Sequence, residues 1–239
     1  MRGFSIIIGL FVLASCKTSQ DPLPDIGLDY FPLQVGSYIV YSVDETQINQ
    51  SSELKSVYEL KLLVSDSLIN QEGGYTYLVS RQKRNGAALP WIKLDTWTAR
   101  IANRQGIIGE GNTSFVKLTF PTVNGSEWDG NTFNTLGGEQ TCGNNQDRPC
   151  DIYRLENMGM EFTTASGMMF DETLTVVQNE NTDLIVLQDV RKEIYAKHVG
   201  LIYKESIVLE YCTSASCLGQ QKVTKGVRFK QVIKEYGVE

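Results

Sequence analysis

The dominant pattern along this chain is an alternation of apolar and polar residues with a period of two. In residues 57–64, Tyr58, Leu60 and Leu62 share one face of an extended chain, while Glu59 belongs to the other. Such alternation is typical of a β-strand that buries one of its faces. The sequence contains no convincing long segment with the 3.6-residue period of an amphipathic helix. The pattern therefore predicts a fold built from strands.

Turn signals divide the rest of the chain into further short strands. Two of these signals are the Gln-Glu-Gly-Gly run at 71–74 and the pair Asn85-Gly86. Further strands are predicted at residues 35–43, 75–79, 91–101, 115–120, 153–157, 172–178, 183–187, 192–196, 200–211 and 225–236. Many short strands joined by turns predict an all-β fold, in which an antiparallel curved sheet forms a half-barrel or barrel-like meander with little helix. Residues 121–149, rich in Gly, Asn and Thr, are predicted to be a long loop.

Residues 1–15 have the form of an export signal. Arg2 is followed by an uncharged apolar stretch of 11 residues, 4–14. A membrane-spanning helix needs about 20 such residues, so this stretch is a signal-peptide core. It ends in Leu-Ala-Ser-Cys at residues 13–16, which resembles the lipobox of bacterial lipoproteins. The resemblance implies that Cys16 is acylated and becomes the new N-terminus. The alternative is an ordinary secretory signal with an incidental cysteine.

The signal defines the expected organisation of the chain. Residues 1–15 are removed, residues 16–29 form a lipidated tether, and residues 30–239 form a single β-rich domain. Two or more acyl chains, such as palmitate, hold a protein stably to a membrane. Residue 17 is Lys and not Asp, which weighs against retention in the inner membrane. We therefore expect a lipid-anchored protein of the cell envelope, in the outer membrane, on its periplasmic face or at the cell surface.

Charge and composition exclude several function classes. The 22 basic and 28 acidic residues give a net charge of −6, so the chain has no basic surplus to bind nucleic acid. His198 is the only histidine, and neither a G-x-S-x-G nor an H-E-x-x-H motif occurs. We interpret His198 as a residue of a bend between two strands. No cofactor and no metal is expected, and the protein is expected to be non-enzymatic.

Four cysteines remain once Cys16 is assigned to the lipid. An even number of cysteines in an oxidising compartment predicts two disulfides. Proximity favours the pairs Cys142–Cys150 and Cys212–Cys217. The alternative is a zinc site with four thiolates, although the spacings C-x7-C and C-x4-C differ from the usual C-x2-C.

One acidic segment carries two further chemical hypotheses. Glu127 and Asp129 flank Trp128, and alternate residues of a strand share a face about 6–7 Å apart, which suits a pair of glycosidase carboxylates. Together with Asn131, the same two residues have the spacing of calcium ligands. A turn rich in Asx residues explains the segment equally well.

Several segments of the chain resemble uncharacterised lipoproteins of Bacteroidetes. The segments are DYFPL with Val35-Gly36 at 29–36, DTWTAR at 95–100, LTFP at 118–121, WDGN at 128–131, DVRKE at 189–193 and VGLIYKE at 199–205. The resemblance spans essentially the whole mature chain and implies an envelope lipoprotein, but it implies no activity. The strand that ends at Gly200 and leads into a second strand is also similar to the curved half-barrels of lipoprotein-carrier domains. That likeness concerns architecture, and architecture alone does not define function.

These observations lead to three functional hypotheses. The first is a binding module for an apolar ligand or a protein partner, with a cavity lined by inward aromatic residues such as Tyr58, Tyr77 and Trp97. The second is a structural or assembly accessory of the envelope, which predicts a filled core and a contact surface. The third is a glycan hydrolase, which requires Glu127 and Asp129 exposed in a cleft.

Overall fold

The computed structural model describes residues 24–50, 52–71, 73–136, 140–142 and 148–239. The predicted signal peptide and Cys16 lie outside the described residues. Within them, one short 3-10 turn spans Leu28–Tyr30 and the remaining elements are strands. The strands are β1 Ser37–Asn49, β2 Ser52–Ile69, β3 Tyr75–Arg84, β4 Ile92–Ala102, β5 Gln105–Glu110, β6 Thr113–Thr119, β7 Glu127–Asp129, β8 Gln140–Cys142, β9 Arg148–Cys150, β10 Ile152–Thr163, β11 Met169–Asn181, β12 Leu187–Ala196, β13 Gly200–Tyr211 and β14 Val223–Val238.

Twelve of these strands form one antiparallel sheet. Its order is β6-β5-β4-β3-β2-β1-β14-β13-β12-β11-β10-β7, and β8 pairs separately with β9. Almost every neighbour in the sheet is also a neighbour along the chain, and β1 pairs with β14 to join the two halves. The sheet curls into a nearly closed, barrel-like shape, which confirms the predicted all-β class. No helix in the described part of the chain is long and apolar enough to cross a membrane.

The two edge regions of the sheet meet through β6 and the end of β7. The Val116 N–H donates to the Gly130 carbonyl over 2.9 Å. The indole N–H of Trp128 donates to the Val116 carbonyl, also over 2.9 Å. Gly130 lies against the ring of Tyr153, where any Cβ atom would overlap the aromatic carbons. These contacts satisfy backbone groups at the sheet edges and bring the two ends of the curved sheet together.

The segment that precedes β1 packs against one end of the barrel. Tyr30 and Phe31 are buried in the largest apolar cluster, and the Phe31 ring sits so close to Gly106 that a Cβ there would come within 3.1 Å. Upstream, Asp25 forms an ion pair with Lys197 over 2.8 Å. Residues 24–36 thus contact the same end of the sheet as the β12–β13 turn.

Most predicted strands are confirmed, with one wrong assignment and four omissions. The strand predicted at 183–187 is wrong: residues 184–186 form a turn, and β12 begins at Leu187. Asp183 explains the turn, because its side chain accepts from the Ile185 N–H over 2.9 Å and its carbonyl accepts from the Leu187 N–H over 3.0 Å. The omitted strands are β5 and the short β7, β8 and β9, and the last three interrupt or overlap the predicted 121–149 loop.

One of the two predicted disulfides lies within the described side chains. Cys212 and Cys217 are bonded, with their Cα atoms 5.8 Å apart, across the connection from β13 to β14. This bond removes both thiolates from the alternative zinc site. Cys150 is buried and disulfide-bonded. The side chain of Cys142 lies outside the described part of the structure, so the pair Cys142–Cys150 stays a prediction.

Candidate functional site

A cavity of about 640 Å³ lies within the curve of the sheet. Strands β1 to β6 and β12 to β14 provide its wall, together with residues 31–34 of the preceding segment. Much of the wall is apolar and includes Leu60, Leu62, Val64, Val79, Trp97 and Ile108. Those on β2 are two residues apart and alternate with residues of the outer face, as the period-two pattern predicts. The curved sheet therefore surrounds a largely apolar space.

The cavity is partly open to solvent, and several of its exposed lining residues lie at the end of the barrel where β14 finishes. Its rim includes Tyr236 and Val238, which are 49% and 64% exposed. His198 lies at the same end, with 72% of its side chain exposed. Phe31 and Leu33 line the cavity beside this opening. The opening therefore adjoins the segment that connects the sheet to the predicted tether.

A cluster of buried charges forms part of the cavity wall. Lys117 Nζ lies 3.1 Å from Glu193 Oε1 and 3.1 Å from Glu110 Oε1. Lys204 Nζ lies 3.4 Å from the same Glu193 oxygen, and the Tyr195 hydroxyl donates to Glu193 Oε2 over 2.7 Å. Glu193 is 1% exposed. Each buried charge therefore faces an opposite charge, as low-dielectric surroundings require.

The pKa values in this cluster favour the ionised state. Burial alone would raise the pKa of Glu193, but the charges of Lys117 and Lys204 outweigh it and lower that pKa to about 2. Burial alone would lower the pKa of Lys117, but the negative charges of Glu193 and Glu110 outweigh burial, so that pKa is raised. The Glu193 carboxylate and the Lys117 ammonium are therefore both charged at neutral pH, beside the cavity.

Arg81 is a second charged residue of the cavity wall. Its guanidinium carbon lies 4.0 Å from the centre of the Trp97 ring, a cation–π geometry. Its Nη1 donates to both carboxylate oxygens of Asp95, over 3.1 and 2.8 Å. Nearby, the hydroxyl of Tyr58 donates to Glu45 over 2.9 Å. The cavity thus combines apolar walls with a few oriented polar groups, which is the usual composition of a small-molecule site.

The aromatic residues singled out from the sequence have different environments. Tyr58 and Trp97 line the cavity, as the binding-module hypothesis expects. Tyr77 packs against the neighbouring apolar cluster that contains Val79. Trp128 belongs to the buried core.

The acidic segment at β7 lies apart from the cavity. Glu127 is exposed and Asp129 half-buried, on the last strand of the sheet. Asp129 Oδ1 accepts from the Asn131 N–H over 2.9 Å, and the Asn131 amide donates to the Leu136 carbonyl over 3.0 Å. These bonds are those of an Asx-rich turn. Among the described residues, no group of three or more His, Cys, Asp or Glu side chains is placed to hold a metal ion.

The charged residues of the cavity were not identified from the sequence. Lys117 alternates with Val116 and Leu118, so the pattern alone assigns it to a polar face, whereas the structure buries all three. Its partner Glu193 lies 76 positions away on β12. A lysine within an apolar strand is a weak signal of such a cluster, because a solvated lysine gives the same local pattern.

Comparison with known proteins identifies no family for this chain. No protein-family model matches it, and no curated protein matches it. A Bacteroides fragilis protein described as exported and as having a YmcC-like fold is 12% identical over 86% of this chain and 97% of its own, with a TM-score of 0.40. A Parabacteroides distasonis protein described as a lipoprotein is 12% identical over 87% and 98%, with a TM-score of 0.41. At these values neither similarity bears on the function of this chain.

Proposed function

We propose that this protein is a lipid-anchored component of the cell envelope that binds an apolar ligand inside its curved sheet. The observation that carries this proposal is the cavity of about 640 Å³ with its largely apolar wall. Protein interiors are close-packed and leave few voids larger than a water molecule. Ligand sites, in contrast, usually enclose about 300–1,000 Å³. The cavity has the size and lining of a ligand site.

The position of the opening supports a ligand that comes from the membrane. Residues 31–34 line the cavity at its open end, and the chain upstream leads toward Cys16. From Cys16 to Pro24 an extended chain spans at most about 29 Å. Acylation of Cys16 would therefore hold the opening close to the lipid surface. A molecule leaving the bilayer would have a short path to the apolar wall.

The cavity also separates this function from its two alternatives. A purely structural accessory has no use for an internal apolar space, and burial of the same side chains against one another would stabilise it more. A glycan hydrolase would need the carboxylates of Glu127 and Asp129 in a cleft, and both lie on the edge strand β7. The binding module is the hypothesis that accounts for the space within the sheet.

Filling the cavity is expected to weaken ligand binding. Ser206 is half-buried and lines the cavity, so the phenyl ring in Ser206→Phe would occupy ligand space. Titration with the neutral fluorescent probe N-phenyl-1-naphthylamine measures the effect in the full chain carrying Cys16→Ser. We expect the parent chain to bind the probe saturably and Ser206→Phe to bind it at least about tenfold more weakly, a difference of about 1.4 kcal/mol.

The matched control is Ser65→Phe, which adds the same ring at an exposed position of β2. This variant is expected to bind the probe like the parent chain. Circular dichroism establishes that both variants are folded. Unchanged probe binding by folded Ser206→Phe would place the probe elsewhere and contradict the proposed site.

A further inference from the structure

One edge of the Arg81 guanidinium has no partner in the part of the chain that the structure describes. Asp95 is bound by Nη1 alone, and Trp97 covers a face of the group. Among the residues that the structure describes, neither Nε nor Nη2 of Arg81 has a hydrogen-bond acceptor, and Nε is buried. A buried donor without an acceptor is uncommon in folded proteins and destabilises them. This edge therefore has unused hydrogen-bonding capacity beside the cavity.

Arg84, on the same strand, shows how the same edge looks when it is occupied. Its guanidinium lies 4.2 Å from the centre of the Trp91 ring, so it is stacked as Arg81 is. Here, however, Nε and Nη2 both bind Glu59 Oε2, over 2.6 and 2.5 Å. The Nε–Nη2 edge thus binds a carboxylate at Arg84, whereas at Arg81, which lines the cavity, it has no acceptor among the described residues.

The charge of the cavity wall is compatible with an anion. Its charged side chains are the cations Arg81, Lys117 and Lys204 and the anions Glu110 and Glu193, a balance of +1. The chain as a whole has a net charge of −6, so the net charge of the lining side chains is opposite in sign to that of the chain. Asp95 lies outside the lining but pairs with Arg81 Nη1 over 2.8 Å, so it offsets part of this positive charge and leaves the Nε–Nη2 edge as the feature specific to an anion.

We infer that the cavity selects amphiphiles with one acyl chain and an anionic head, a carboxylate or a phosphate. Two oxygens of the head accept hydrogen bonds from Nε and Nη2 of Arg81, in the bidentate geometry that a guanidinium offers to such groups. The chain lies along the apolar wall that contains Leu62 and Val79. This inference rests on the proposed function and adds the chemical class of the ligand.

Competition among three ligands with the same chain tests the inference. Dodecanoate, dodecyl phosphate and 1-dodecanol each displace N-phenyl-1-naphthylamine from the full chain carrying Cys16→Ser. We expect at least one of the two anions to displace the probe at about one-tenth of the concentration that dodecanol requires, because charge-assisted bidentate bonds are strong. The anion with the larger advantage identifies the source of the head group as a fatty acid or a phosphate ester.

Variants of the two arginines test whether the preference for an anion comes from the Nε–Nη2 edge of Arg81. Arg81→Met is expected to remove the advantage of the anion over dodecanol. Arg81→Lys keeps the positive charge but not the two parallel donors of a guanidinium, so it is expected to keep only part of that advantage. Arg84→Met, at the occupied edge, is expected to keep the full advantage. Circular dichroism establishes that each variant is folded.

The possible results separate the inference from the function on which it rests. Equal displacement by all three ligands, or an anion preference that persists in Arg81→Met, would overturn the role of Arg81 while leaving an apolar binding site. Failure of the parent chain to bind the probe or any of the three ligands would instead overturn the proposed function.

Discussion

Replacing Lys117 by methionine is expected to lower the free energy of unfolding by about 3–5 kcal/mol, the usual cost of removing one partner from a buried ion pair. The reason is the position of Glu193, which is 1% exposed and would keep only Lys204, at 3.4 Å, as a cationic partner. Glu110 would lose its partner at 3.1 Å as well. Urea unfolding followed by circular dichroism measures the change.

A double variant distinguishes the loss of charge pairing from a packing defect. Lys117→Met combined with Glu193→Gln removes one charge of each sign and leaves Glu110 and Lys204. We expect the double variant to recover at least about 1 kcal/mol relative to the sum of the two single changes, as coupled neighbours do. Strict additivity of the two single effects would show that the two side chains do not interact as described.

The same cluster determines how stability depends on pH. The pKa of Glu193 is about 2 in the folded protein, below its ordinary value of 4.5. Its contribution is therefore present above about pH 4.5 and is lost as the pH falls toward about 2, when the unfolded chain binds the proton more readily. In that range Glu193→Gln is expected to lose less stability than the parent chain. If the free energy of unfolding fell equally in the two proteins as the pH was lowered, this assignment would be contradicted.

Replacing Trp128 by alanine is expected to destabilise the protein by about 3–5 kcal/mol, the typical cost for a buried aromatic residue. Trp128 is 8% exposed and meets the Tyr153 ring edge-on, with centroids 6.2 Å apart. It also donates the hydrogen bond to Val116 that helps to join the edges of the sheet. The change therefore removes core volume and an edge contact together, and chemical unfolding measures the sum.

Two further substitutions separate these contributions. Trp128→Phe keeps an aromatic ring but leaves the Val116 carbonyl without the indole donor, so part of the loss is expected to remain, including about 1 kcal/mol for the hydrogen bond. Trp91→Ala serves as the comparison, because Trp91 is half-buried beneath Arg84. The account of sheet closure would be wrong if Trp128→Ala cost no more than Trp91→Ala.

The sequence pattern predicts the strands and their buried faces where one face meets the apolar interior. Along β2, Tyr58, Leu60 and Leu62 line the cavity as their alternation indicates. The β13–β14 hairpin was predicted at 200–211 and 225–236, and its strands lie at Gly200–Tyr211 and Val223–Val238. Local alternation is sufficient in these strands because burial of one face decides the register.

Turns made by unusual residues were harder to predict. β4 and β5 are joined by Asn103 and Arg104, both with positive φ, of 51° and 61°. Glycine usually occupies such positions, so an arginine gives no turn signal and β5 was missed. The apolar run at 184–186 suggested a strand, but the hydrogen bonds of Asp183 formed a turn there instead.

The chemistry of the cavity depends on contacts between distant parts of the chain. Lys117 and Glu193 come together only because the sheet curls until β6 faces β12. The lack of an acceptor at the Nε–Nη2 edge of Arg81, among the described residues, depends on the orientation of one guanidinium relative to Asp95 and Trp97. No local pattern contains this information, since the partners of Arg81 and Arg84, Asp95 and Glu59, come from the neighbouring strands β4 and β2.

Native mass spectrometry tests the central claim, that the cavity holds an apolar ligand, most directly. The full chain with Cys16→Ser is expressed in the periplasm, and its mass is compared before and after denaturation. We predict an additional mass that is released on unfolding, and an adduct with dodecanoate once the protein has been stripped and refolded. Identical native and denatured masses, with no adduct after incubation with dodecanoate, would contradict the account.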